Sequence, residues 1–145
     1  MQSALEQAQY ALEAGEIPVG AVVVHHRQII ARGYNQRERL HSVLAHAELL
    51  AIQQACEKLG NWRLPECDLY VTLEPCAMCA GAIFQARFKT VYFGAYSRQG
   101  GCMGTVVDLS ATALNTHTCV YGGIMEDACT QLMQRFFACN SRGRY

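Results

Sequence analysis

The chain lacks an excess of charge of either sign: twelve Lys and Arg balance twelve Asp and Glu over 145 residues. That balance excludes a broad polybasic surface of the kind that holds nucleic acid nonspecifically. A local basic patch stays open. Lys58 and Lys89 are the two lysines, so ten of the twelve cations are Arg, whose planar fork suits phosphate and base contacts. No apolar run approaches the roughly 20 residues that span a bilayer, and no signal peptide opens the chain. There is no long repeat, low-complexity tract or linker, so residues 1–145 read as one domain.

The chain does hold eight cysteines, in a sequence that is 51% hydrophobic. A domain of this size buries about two thirds of its unfolded surface and needs no covalent staple. Eight cysteines without a secretion signal therefore point to a reducing, cytoplasmic setting rather than a disulfide framework. Cys56, Cys67, Cys102, Cys119, Cys129 and Cys139 are scattered and read as small hydrophobes. Cys76 and Cys79 stand apart, as Pro-Cys-x-x-Cys within "LEPCAMCAGAI".

Apolar residues at 4, 5, 8, 11 and 12 predict a first helix over Ser3 to Ala14, closed by Gly15. "GAVVVHHRQIIARG" reads as two strands, Ala21 to Val24 and Gln28 to Arg32, joined at His25 to Arg27 without Asn-Gly turn chemistry. "HSVLAHAELLAIQQACEKLG" reads as a helix with Ser42 as N-cap, Val43 at N1 and Gly60 just past its end. A strand ends near Thr72, and Pro75 fits the first position of a helix running to about Ala86. A buried strand "KTVYFGA", a Gly-rich loop "YSRQGGCMGT", a strand within "HTCVYGG" and a helix over Glu126 to Ala138 complete the chain. The expected architecture is α/β: a three-layer α-β-α domain around one mixed sheet. The strands at Leu69–Thr72 and Thr90–Gly94 should be parallel, as the arms of a βαβ unit.

Cys76 and Cys79, spaced i, i+3 at a helix N-terminus, share a face where the helix dipole favours thiolates. That serves zinc binding or redox chemistry equally. "AHAE", Ala45 to Glu48, separates the two. His46 with Cys76 and Cys79 makes three ligands, and three protein ligands with an open position is the catalytic zinc arrangement. A lone His, or a lone Cys-x-x-Cys, is more often something blander. The compound pattern His-x-Glu then Pro-Cys-x-x-Cys is the signature of zinc deaminases that act on nucleobases.

From about Ala4 to Phe137 the chain resembles the bacterial tRNA adenosine deaminases of the cytidine deaminase superfamily. The resemblance rests on "IPVGAVVV", "AHAE", "NWRL", "LYVTLEPCAMCAGAI", "VYFGA" and the "FF" of the last helix. It implies a five-stranded cytidine deaminase-like sheet, a homodimer, and conversion of adenosine to inosine at the first anticodon position of a tRNA, typically the arginine tRNA. By the same resemblance His46, Cys76 and Cys79 hold one Zn²⁺ per chain and Glu48 shuttles the proton. Asn35 hydrogen-bonds the purine, while Ile17, Pro18 and Val19 line the base pocket. Arg37, Arg39, Arg87, Arg98, Arg142 and Arg144 are the candidates for RNA phosphate contact.

Three departures from the family pattern stand out. Ser42-Val43-Leu44 replaces the common Asp-Pro-Thr before "AHAE", which places Leu44 at the expected pocket rim. Ser97 stands where the tRNA-editing type commonly has Asp, so a hydrogen bond to ribose replaces a charged contact. "QARF" replaces Ser-Arg-Ile but keeps Arg87. The Ser97 departure and the neutral charge favour the alternative of a free-base or nucleoside deaminase, acting on guanine or cytosine.

Overall fold

A computed structural model describes residues 1–115 and 117–140, apart from the side chain of residue 140. The strands are β1 (Gly20–His25), β2 (Gln28–Tyr34), β3 (Cys67–Leu73), β4 (Thr90–Ala95) and β5 (Cys119–Tyr121). The helices are α1 (Gln2–Glu13), α2 (Arg37–Leu40), α3 (Ala47–Leu59), α4 (Ala77–Ala86) and α5 (Glu126–Asn140). One mixed sheet runs in the order β2-β1-β3-β4-β5. β1 is antiparallel to β2 and β3, whereas β3, β4 and β5 are parallel. The expected parallel pair is thus β3 with β4, bridged by α4.

Side-chain alternation divides the sheet into two cores. Along β3, Cys67, Leu69 and Val71 are buried while Asp68 and Tyr70 are half-buried. With Val91 and Phe93 of β4 they pack against Ala51 and Ala55 of α3 and Ala80 and Ile83 of α4. Each large apolar side chain so buried contributes about 1.5–3 kcal/mol. On the other face Leu5 and Ala8 of α1 meet Cys129 and Leu132 of α5 over Ala95. The three layers are those expected from the sequence. Gly33 on β2 lets α3 sit close: a Cβ there would collide with the carbonyl oxygen of Ala47, in the first turn of α3.

The β1–β2 turn has His26 and Arg27 at positive φ, 47° and 65°. These are the signs of a type I′ turn, adopted without its usual glycine. Two helix starts differ from expectation. α3 begins at Ala47 with His46 as N-cap, not at Val43 after Ser42. The Ala45 carbonyl is taken by the Gln36 N–H at 3.0 Å, and the Ser42 hydroxyl serves a local turn by accepting from the Leu44 N–H at 3.3 Å. α4 begins at Ala77 with Cys76 as N-cap, so Pro75 precedes the cap instead of occupying N1. Its carbonyl accepts from the Cys102 N–H at 2.9 Å, outside the helix ladder.

Candidate metal centre and active site

The shifted helix starts place chemistry at two N-caps. His46 caps α3 with φ −76° and ψ 147°, and Cys76 caps α4 with φ −74° and ψ 174°. The two side chains converge on each other. His46 Nδ1 lies 3.8 Å from Cys76 Sγ and 3.5 Å from Cys79 Sγ. Metal–sulfur and metal–nitrogen bonds of about 2.3 and 2.1 Å separate tetrahedral N and S ligands by roughly 3.6 Å. The side chains fit a zinc ion with little rearrangement, and all three ligand atoms lie within 4.8 Å of one another.

The three side chains are also linked electrostatically. Hydrogen bonds from Cys79 and His46 hold the Cys76 thiol down to about 3. The bond to Cys76 pushes Cys79 upward, with burial adding to it. The same partnership raises His46. Two sulfur donors and an imidazole suit a zinc ion, and the N-terminal end of α4 favours the thiolate form of its cysteines. Glu48, in the first turn of α3, is 4% exposed, and burial raises its pKa. A cavity of about 120 Å³ opens over these groups, lined by Ile17, Val19, Asn35, Glu48, Glu74 and Ser97 among others.

Comparison with known families then decides the class. The family model of the cytidine and deoxycytidylate deaminase zinc-binding region matches residues 1–95. The chain belongs to the cytidine and deoxycytidylate deaminase family. A tRNA-specific adenosine deaminase of Bacillus subtilis (strain 168) is 46% identical over 138 residues, 94% of this chain and 86% of that protein. A solved structure from work on A-to-I editing by tRNA:A34 deaminases at the wobble position of transfer RNA has a TM-score of 0.87 and 44% identity. The match spans 91% of this chain and 96% of that one. A guanine deaminase from Bacillus subtilis has 43% identity and a TM-score of 0.63, over 66% of this chain and 61% of its own. This deaminase fold and its His-Cys-Cys site are consistent with one zinc ion per chain.

Of the residues expected to bind the substrate, Ile17, Val19, Asn35 and Ser97 line the cleft. Pro18 does not: its side chain is fully buried, so it shapes the turn between its neighbours rather than the wall. Leu44 is exposed and outside the lining. Arg37 joins the cleft lining. Arg39 is exposed and donates to the Tyr34 hydroxyl at 2.9 Å and to Gln36 Oε1 at 3.3 Å; Arg98 is exposed one residue beyond Ser97. Arg87 caps the C-terminal end of α4, about 15 Å along the helix from the ligands at 1.5 Å per residue. Arg142 and Arg144 lie outside the described residues.

Sequence reasoning missed two buried carboxylates beside the deaminase site. Glu74, 2% exposed, accepts from the N–H groups of Ser97 at 3.0 Å, Met103 at 3.0 Å and Thr105 at 3.1 Å. It clamps the loop that carries Ser97 and Gly100 into the cleft. Gly101 is needed there, since a Cβ would collide with Glu74 Oε2. Glu16, also 2% exposed, accepts from the Arg39 N–H at 2.8 Å, the Glu38 N–H at 3.3 Å and Asn35 Nδ2 at 3.4 Å. It fixes the Asn35 amide, which lines the cleft. Both carboxylates serve mainly backbone donors, which leave no side-chain signature.

Proposed function

We propose that this chain hydrolytically deaminates adenosine to inosine at the first anticodon position of a tRNA, with the arginine tRNA as substrate. The observation that carries the reading is Glu48 buried in a small cleft beside the His46–Cys76–Cys79 triangle. The relatives named as tRNA adenosine deaminases support the choice of base and RNA.

The reaction replaces the C6 amine of adenine by oxygen from water and releases ammonia. His46, Cys76 and Cys79 would hold zinc, which supplies a water acidified from about 15.7 toward 7. Glu48 would accept a proton from the attacking water and deliver it to N1 of the ring, then take the proton of the new C6 hydroxyl and pass it to the leaving amine. Asn35, its Nδ2 hydrogen-bonded to Glu16, would orient the base; Ile17 and Val19 would pack on its faces. The narrow cleft admits an extruded base and excludes a stacked pair. An anticodon loop presents such a base for at most a few kcal/mol. Arg37, Arg39 and Arg98 would meet the flanking phosphates, with Arg37 the nearest to the cleft.

The reading includes a homodimer and a cytoplasmic site of action. Exposed Val106, Val107 and Leu114 on the loop after β4 supply apolar surface for a second copy. Among the described residues no helix is long and apolar enough to cross a membrane. Ser97 and the guanine deaminase likeness favour one second reading, a deaminase of a free base. Ammonia release separates the two. The tRNA reading expects release from tRNA and none from free guanine, cytosine or adenosine; rapid release from a free base overturns it.

A further inference from the structure

A second ligand cluster lies at the tip of the β1–β2 hairpin. His25, His26 and Glu66 bring one potential ligand atom each within 4.8 Å of the others. Both imidazoles converge on one oxygen: His25 Nε2 lies 3.6 Å and His26 Nε2 3.5 Å from Glu66 Oε2. The two rings are 3.9 Å apart between centroids. As a simple ion pair this is a poor arrangement. It would place two cations side by side on one carboxylate oxygen, on a surface where His26 and Glu66 side chains are 68% and 69% exposed and such pairs contribute little. As a donor set it is a good one. Two imidazoles and a carboxylate suit first-row divalent cations such as zinc, nickel and copper. Ligand edges of 3.5–3.6 Å are close to those of a tetrahedral site with bonds of about 2.1 Å.

Two features of the backbone build the cluster. His26 takes positive φ, 47°, a conformation that non-glycine residues seldom adopt; it turns the second ring back toward the first. β1 register pairs His25 with Cys67, which sets Glu66 beside the turn. A shallow depression adjoins the cluster. Asp68 Oδ1 is buried without a hydrogen-bond partner, and Asp68 lines a depression together with His26, Glu66, Arg27 and Lys89.

The geometry points to a second divalent-cation site at His25, His26 and Glu66, distinct from the cleft and specific for imidazole-preferring transition metals. Occupied, it staples the hairpin tip to the residue that leads into β3. The test is calorimetric titration of Ni²⁺ into the zinc-loaded protein, with metal analysis showing that the zinc stays. Wild type is expected to bind one Ni²⁺ saturably and to melt at a higher temperature with it. His26→Asn, which tolerates positive φ, and Glu66→Gln should each weaken binding at least tenfold and abolish the thermal shift. His41→Asn serves as the control, being an exposed histidine with φ 47° outside the cluster; it should bind as wild type does. No saturable nickel site, or equal binding in all four proteins, overturns the assignment.

Discussion

Glu48 differs from every other acidic residue near the cleft in what it serves. Glu16 and Glu74 accept from backbone N–H groups and hold loops, whereas Glu48 is buried against the ligand triangle. Glu48→Gln keeps the volume and removes the proton carrier. Turnover should fall by about 10²–10⁴, the usual yield of general acid–base catalysis, while zinc content by metal analysis stays at the wild-type value. The cysteines divide in a second way. Burial pushes Cys67 and Cys129 up to about 11, so both stay protonated thiols at pH 8. Cys119 and Cys139 are exposed. Iodoacetamide at pH 8 should modify Cys119 and Cys139 within minutes and leave Cys67 and Cys129 unmodified by peptide mass spectrometry. Only the thiolate reacts, and access is required as well.

At the scale of elements, two close contacts place the site. α3 rests on Gly33, and through α3 so do His46 and Glu48. Gly33→Ala forces the helix off β2 and should destabilise the fold by about 1–3 kcal/mol in urea titration, the usual cost of overpacking. The Glu74 clamp holds a loop instead. Glu74→Gln turns one acceptor oxygen into a donor facing N–H groups. It should speed amide exchange across residues 97–105 and raise KM more than it lowers kcat, because the loop lines the cleft without touching the scissile bond.

The elements were unequally legible. The strands β3 and β4 and the helix between them could be read from the apolar run "KTVYFGA" and from "CDLYVTLEP" followed by Pro75. The start of α3 could not. Ser42 satisfies the local rules for an N-cap, and only the bond from Gln36 to Ala45, nine residues apart, carries the start to Ala47. α2 spans four residues, Arg37–Leu40, none of them buried, so no apolar periodicity marks it.

The whole molecule joins a common three-layer scaffold to a site assembled from distant segments. His46 and the two cysteines are thirty and more residues apart, yet the residue types and spacing made the triangle readable before any coordinates. What stayed hidden was the support around it: Glu16, Glu74 and Gly101 act through backbone contacts that sequence spacing does not encode. Pro18, expected by resemblance to line the base pocket, has a fully buried side chain between two cleft-lining neighbours. At this scale the claim to test is the substrate. The protein should be incubated with total bacterial tRNA, and inosine mapped by sequencing. Wild type should convert adenosine to inosine at the first anticodon position of the arginine tRNA, and Glu48→Gln should leave it as adenosine. Unchanged tRNA with the zinc-loaded wild type, alongside ammonia release from a free base, would contradict the assignment.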